Sequence, residues 1–123
     1  MKIVLSVASP NLTAAIDPRF GRAAYLLVVD TETGQWQAHE NPGQNASGGA
    51  GIQAAQFAAS QNAQAVISGE FGPNAFDALQ AAQIAMYAYG NCQTAPEALE
   101  RFKAGQLEQI GAATGSGHHG RGA

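Results

Sequence analysis

The sequence holds little charge, a single cysteine and no long apolar run, and each scarcity excludes a class of protein. Charged residues are 12% of the 123 positions, with 6 Lys+Arg against 9 Asp+Glu and a net charge of −3. No basic stripe is available to neutralise the phosphates of a duplex, so nucleic acid is not an expected partner. Cys92 is the only cysteine. No internal disulfide can form, and the expected setting is reducing and cytoplasmic. The apolar run from Ile3 to Val7 is too short to cross a bilayer, and Pro10-Asn11 ends it. Asn11 to Arg22 continues as folded-domain sequence, so the run reads as a core strand rather than a secretory segment, and no membrane partner is expected.

Catalytic motifs are equally scarce. There is no C-x-x-C pair, no H-E-x-x-H and no P-loop. No G-x-S-x-G elbow occurs either. The expectation is a binding module, not an enzyme.

What is present is enough apolar residue, 46% of the chain, to fill the core of one domain. Ile3–Val7 has the β-branched pattern of a buried strand. Tyr25–Val29 is a second strand, Asp30 to Gly34 a tight turn, and Gln35–His39 an alternating, half-exposed third strand. A polar, glycine-rich loop from Asn41 to Gly49 precedes an alanine-rich helix over about Ala50 to Gln61. Ala65–Ser68 is a fourth strand. Gly72-Pro73-Asn74 starts a second helix with proline in its first turn. Ile84–Ala88 is a fifth strand. Thr94 and Glu97 have capping-box spacing before a third helix that Gly105 stops. The order is β-β-β-α-β-α-β-α, which predicts one five-stranded mixed sheet with the first strand central and helices on both faces. This order also resembles a ribonuclease H-like sheet. The first strand carries no carboxylate for two-metal hydrolysis, so the architecture is expected without that chemistry. The domain is expected to span 1–110, with 111–123 a flexible Gly/His tail.

The same order predicts where a ligand goes. Four loops, Ala8 to Ala23, Glu40 to Gly49, Gly69 to Asn74 and Tyr89 to Thr94, share the edge at the carboxyl ends of the parallel strands. All three helix N-termini open there, and their free N–H groups favour an anion. The candidate binding residues are Arg19, Arg22, Ser47, Gly48, Gly49, Gly51 and Asn74. Asp17 and Glu40 are competing partners for the two arginines. Cys92, His118 and His119 are the candidate metal ligands, with a small core cysteine and solvated tail histidines as the competing readings. His39 reads as a solvated strand residue.

Asp17-Pro18-Arg19-Phe20-Gly21-Arg22-Ala23 is followed in order by Val29-Asp30-Thr31-Glu32-Thr33-Gly34, Asn41-Pro42 and Gly49-Ala50-Gly51-Ile52-Gln53. Gly69, Gly72-Pro73-Asn74-Ala75-Phe76 and Glu97-Ala98-Leu99 complete the set. Together they resemble the dinitrogenase iron–molybdenum cofactor biosynthesis family from Met1 to about Leu107. The resemblance implies a ribonuclease H-like fold and a carrier of iron–molybdenum cofactor or an iron–sulfur precursor cluster, with cofactor-assembly or nitrogenase proteins as partners. His118-His119-Gly120 is similar to a His-Gly feature near the end of the domain in some members; Cys92 matches no family motif. The leading expectation is therefore a non-enzymatic carrier or chaperone for an anionic metal–sulfur cluster. A phosphate- or nucleotide-binding module and a ligand-free regulatory interaction domain are the alternatives.

Overall fold

The first strand organises everything else. In the computed structural model, which describes residues 1–111 and 113, β1 (Lys2–Val7) is buried along nearly its whole length. It pairs antiparallel with β2 (Tyr25–Asp30) and parallel with β4 (Ala65–Ser68). With β3 (Trp36–Glu40) and β5 (Ala85–Ala88) they form one five-stranded mixed sheet in the order β3-β2-β1-β4-β5. The expected element order and central first strand are both present. The third strand starts one residue later than its alternation predicted. Gln35 belongs to the turn, where its carbonyl accepts the Asp30 N–H at 2.8 Å. Gly34 takes φ 79° there, and Asp30 Oδ1 accepts the Glu32 N–H at 2.9 Å.

Three helices cover the sheet, α1 (Ala50–Ser60), α2 (Pro73–Ala81) and α3 (Ala95–Lys103). Period-two alternation splits the strand residues between two cores. Val4, Leu26, Val28, Val66 and Met86 meet Ala54, Ala55 and Ala58 of α1 and Phe76 and Leu79 of α2. Ile3, Leu5, Leu27, Val29 and Ile67 meet Ala95, Ala98 and Leu99 of α3. The buried face of α1 is all alanine, which lets that helix lie close to the strands. In α3, Thr94 Oγ1 accepts the Glu97 N–H at 3.4 Å, and Glu97 Oε1 accepts the Gln93 N–H at 2.9 Å. At its other end the Gly105 N–H reaches the Phe102 carbonyl and the Gln106 N–H the Arg101 carbonyl, with Gly105 at φ 71°. That is the paired bonding of a Schellman stop. No helix among the described residues is long and apolar enough to cross a membrane.

The two sheet edges differ. Along β5, Ala88 donates to the Glu108 carbonyl and Ile110 donates to the Met86 carbonyl, so 108–110 covers that edge as a short antiparallel addition. No described segment pairs with the outer side of β3. Of the expected flexible tail, Ala113 packs against the core on the α1/α2 side; His118 and His119 lie outside the described residues.

The loop from Ala8 to Ala24 folds back over the carboxyl ends of the central strands. Pro18 accepts from the N–H groups of Gly69 and Glu70 at 3.1 and 2.7 Å, and the Ile16 N–H donates to the Gln93 carbonyl at 3.0 Å. Beneath it lies a buried polar cluster. Ser6 Oγ stands 2.6 Å from the Asp17 carbonyl and 2.7 Å from Ser68 Oγ, which in turn reaches the Pro18 carbonyl at 3.1 Å. Tyr89 donates its hydroxyl to the Ser6 carbonyl at 2.6 Å. Burial pushes the Tyr89 hydroxyl far above its ordinary pKa, so it stays a donor at every working pH. Gly69 is obligatory here, because a Cβ on it would lie 2.5 Å from Pro18 Cβ and 2.9 Å from Pro18 Cα.

Two stability predictions follow from this cluster. Tyr89→Phe leaves the Ser6 carbonyl without its hydroxyl donor and should lower urea stability by about 1–2 kcal/mol, with an unchanged far-UV spectrum; an unchanged midpoint would show the bond carries no weight. Gly69→Ala should cost about 1–3 kcal/mol through overpacking against Pro18, and an alanine variant as stable as the parent would contradict the close approach.

Candidate functional site

The starts of α1 and α2 open side by side onto one cleft at the carboxyl edge of the sheet. It encloses about 370 Å³ and is walled by Arg19 to Arg22, by Ala50 and Gly51 of α1, and by Gly72 to Ala75 at the start of α2, with Glu70 beside them. Neither helix start is capped by a side chain. Their first-turn N–H groups therefore lack the usual Ser, Thr, Asp or Asn acceptor, and Ala50, Gly51, Asn74 and Ala75 line the cleft. The helices approach closely at Gly51, where a Cβ would come within 2.9 Å of Ala75 Cβ. A small residue at 51 is what lets the two N-termini converge. Phe20 lines the cleft and packs on Phe71, with ring centroids 5.4 Å apart and both side chains buried.

The two arginines differ in role. Arg19 is exposed but held in a fork by Asp17, with Nε 3.1 Å from Oδ1 and Nη2 3.0 Å from Oδ2. Asp17 is nearly buried and also accepts the Arg19 N–H at 3.0 Å. The hydrogen bond and charge of Asp17 raise the Arg19 pKa above its ordinary value. Among the described residues Arg22 has no carboxylate partner. Its Nη1 points at the carbonyls of Gly43, Gln44 and Ala46, at 3.4, 3.2 and 2.8 Å. It thus ties the 41–49 loop to the cleft, where sequence reasoning offered Glu40 as its competitor. Asn41 supports the same loop from below, donating to the Phe20 carbonyl at 3.0 Å and accepting the Gly43 N–H at 3.0 Å.

Of the predicted residues, Arg19, Arg22, Gly51 and Asn74 line the cleft together. Ser47, Gly48 and Gly49 are exposed on the approach to α1 rather than in the wall. Gly49 is the N-cap, in the left-handed region at φ 70°. The expected edge is shared by all three helix starts, but α3 lies on the opposite face of the sheet. Cys92 belongs to that other side, buried among Tyr89, Ala95 and Leu99. Burial raises its thiol pKa, against a weaker lowering by Arg101. Desolvation outweighs the nearby positive charge there, and the burial agrees with the reading of Cys92 as a small core cysteine. His39 is half-buried, its ring 5.0 Å from that of Phe57. Among the described residues no three His, Cys, Asp or Glu side chains gather to hold a metal ion.

Sequence reasoning missed Glu70, which brings a carboxylate to the cleft, and the Ser6–Ser68–Tyr89 cluster that supports its rim. A serine near the carboxyl end of each of two neighbouring strands was the available signal. A larger hollow of about 600 Å³ lies along the β2–β3 hairpin, between Lys2, Asp30, Trp36 and Gln61. None of the described predicted site residues lines it, and no helix start opens into it, so the smaller cleft is the candidate site.

Comparison with known proteins bears on this arrangement. Residues 1–105 match the model of the family described as dinitrogenase iron-molybdenum cofactor. The apo form of the orange protein from Desulfovibrio gigas is similar, at 38% identity over 93% of this chain and 96% of that one, with a TM-score of 0.87. A NifB-like protein from Thermotoga is 30% identical over 94% of this chain and 98% of its own, with a TM-score of 0.82. An uncharacterised protein of Methanocaldococcus jannaschii is 29% identical over 113 residues, which are 89% of this chain and 92% of that protein. The sheet order, the carboxyl-edge cleft and these matches along nearly the whole chain lead to one conclusion: the protein belongs to the dinitrogenase iron-molybdenum cofactor family.

Proposed function

We propose that this protein is a non-enzymatic cytoplasmic carrier that binds a preformed metal–sulfur cluster, an iron–molybdenum cofactor or a related iron–sulfur precursor, at the α1/α2 cleft. The observation that carries the reading is the pair of uncapped helix starts facing one cleft with Arg19 and Arg22 beside them. Such a cluster is polyanionic, and backbone N–H groups at helix starts suit its charge. The formal charges around the cleft nearly cancel, since Asp17 and Glu70 oppose the two arginines. Binding then rests on oriented dipoles and hydrogen bonds rather than on excess charge, which favours a cargo held reversibly. The family supports the metal–sulfur identity of the cargo. A relative named for its colour and known in an apo form supports a coloured bound group. We read the sheet as ribonuclease H-like, used here for binding. Assembly proteins that make or receive the cluster are the proposed partners.

Imidazole is a suitable ligand for an exposed cluster metal, and we assign that part to His118 and His119 ahead of Cys92. A phosphate-binding module would use the same helix starts. Colour separates the two, because a cluster-loaded protein absorbs in the visible and a phosphate complex does not.

The test is anaerobic uptake of extracted iron–molybdenum cofactor, followed by gel filtration and by iron, molybdenum and sulfide analysis. The parent should retain cluster. Gly51→Val and Arg22→Ala should each lower retention several-fold, and the double substitution His118→Ala/His119→Ala should speed release. A parent that retains none, or variants that all retain as much as the parent, would overturn the reading. Cys92 supplies a separate check with a pH dependence. Its raised thiol pKa means a smaller thiolate fraction near neutrality than in an exposed cysteine. Iodoacetamide should leave the native protein almost unlabelled at pH 7, label it faster as pH rises, and label the urea-unfolded chain at the ordinary rate. Rapid native labelling at pH 7 would restore Cys92 as the soft ligand.

A further inference from the structure

Among the described residues, one edge of the sheet is covered and the other is not. The 108–110 segment bonds to the outer backbone groups of β5 at Met86 and Ala88. On the far side, β3 is the outermost strand. Its register with β2 fixes which groups face outward. The Asp30 N–H bonds to Gln35 and the Asn41 N–H to Ala24 at the two ends of the ladder. Antiparallel pairing alternates, so Gln35, Gln37, His39 and Asn41 direct their backbone groups at β2. Trp36, Ala38 and Glu40 direct theirs away from it. No proline, no lysine and no bulge interrupts Trp36-Gln37-Ala38-His39-Glu40, and Glu40 at its end is the one charged carboxylate of the strand. Trp36 is the only tryptophan of the chain and is 40% exposed.

We propose that the β3 edge is a self-association surface, where a second copy of this chain pairs antiparallel across a two-fold axis at Ala38. The strand is complementary to itself in this register. Ala38 exchanges N–H and C=O bonds with Ala38 of the second copy, and Trp36 exchanges them with Glu40 in both directions. The side chains agree with the backbone. Each indole lies opposite a glutamate stem rather than another glutamate, so no like charges are opposed. On the other face Gln37, whose Oε1 already lies 3.2 Å from His39 Nε2 of its own strand, comes opposite His39 of the second copy, so uncharged polar groups meet there. An axis normal to the sheet keeps α1 and α2 of both copies on one face and α3 of both on the other, and leaves both clefts open. A single strand pair is a small interface, so the association is weak. Each copy carries a net charge of −3, so added salt strengthens it by screening.

The experiment is sedimentation of the full chain from low micromolar to millimolar concentration, with Trp36 fluorescence and amide exchange read on the same samples. The mass should rise from one chain towards two, the emission should shift to the blue, and the amides of Trp36, Ala38 and Glu40 should become protected while those of Gln37 and His39 are protected throughout. Ala38→Pro removes an outward donor and no β2 bond, and an edge strand tolerates proline; it should remain a single chain at every concentration. A parent that stays a single chain at millimolar concentration overturns the proposal, as does association without new protection at positions 36, 38 and 40. An Ala38→Pro protein that associates as well as the parent overturns it too. If that variant does not fold, the exchange pattern of the parent decides alone. Protection at those amides only when an unrelated extended peptide is added assigns the edge to a foreign strand and also overturns self-pairing.

Discussion

The carboxyl edge of this protein depends on one docking event, the attachment of the Ala8–Ala24 loop to the ends of β1 and β4. Ser6 and Ser68 place two hydroxyls under the carbonyls of Asp17 and Pro18. Three oxygen contacts share two hydroxyl protons, so the cluster works as a unit. Tyr89 closes it from the β5 side. With Pro18 fixed, the backbone is delivered to Arg19–Arg22 in one position, and those residues then meet the starts of α1 and α2. The loop reaches the β5–α3 connection through Ile16 and Gln93 as well, and so bridges both faces.

This explains why the cleft is formed by backbone more than by side chains. Asp17 restrains Arg19, and three carbonyls restrain Arg22, so both cations are oriented at the cost of much of their free charge. The uncapped turns at Gly49 and Gly72 supply directional donors that need no rearrangement to bind. A site of this kind suits a large anion that must also be given up. It contrasts with a closed metal centre, whose ligands would have to converge, and among the described residues they do not.

Much of the fold was legible because the local signals agreed with one another. The β-branched run at Ile3–Val7, the Gly34 turn, Pro73 after Gly72 and the Thr94–Glu97 pair each fixed an element that the structure contains. The shared carboxyl edge followed from strand directions alone. What could not be read was which face each helix covers, since only packing assigns it. That is why Cys92 and the α1 start looked like neighbours and are not. The partner of Arg22 was illegible for a related reason: backbone carbonyls of a loop are invisible in residue identity, whereas Glu40 was conspicuous. The Ser6–Ser68 contact joins residues 62 apart, and its one signal is the placement of each serine near the carboxyl end of its strand.

The central claim is that the cluster sits between the starts of α1 and α2. It is tested most directly by amide NMR of the full chain titrated anaerobically with extracted iron–molybdenum cofactor, whose paramagnetism broadens nearby signals. The account predicts selective loss of the Arg19, Arg22, Gly51, Asn74 and Ala75 resonances, with Cys92 and the β2–β3 hairpin unaffected. Broadening centred on Cys92 or on Trp36, or no selective broadening at all, would contradict it.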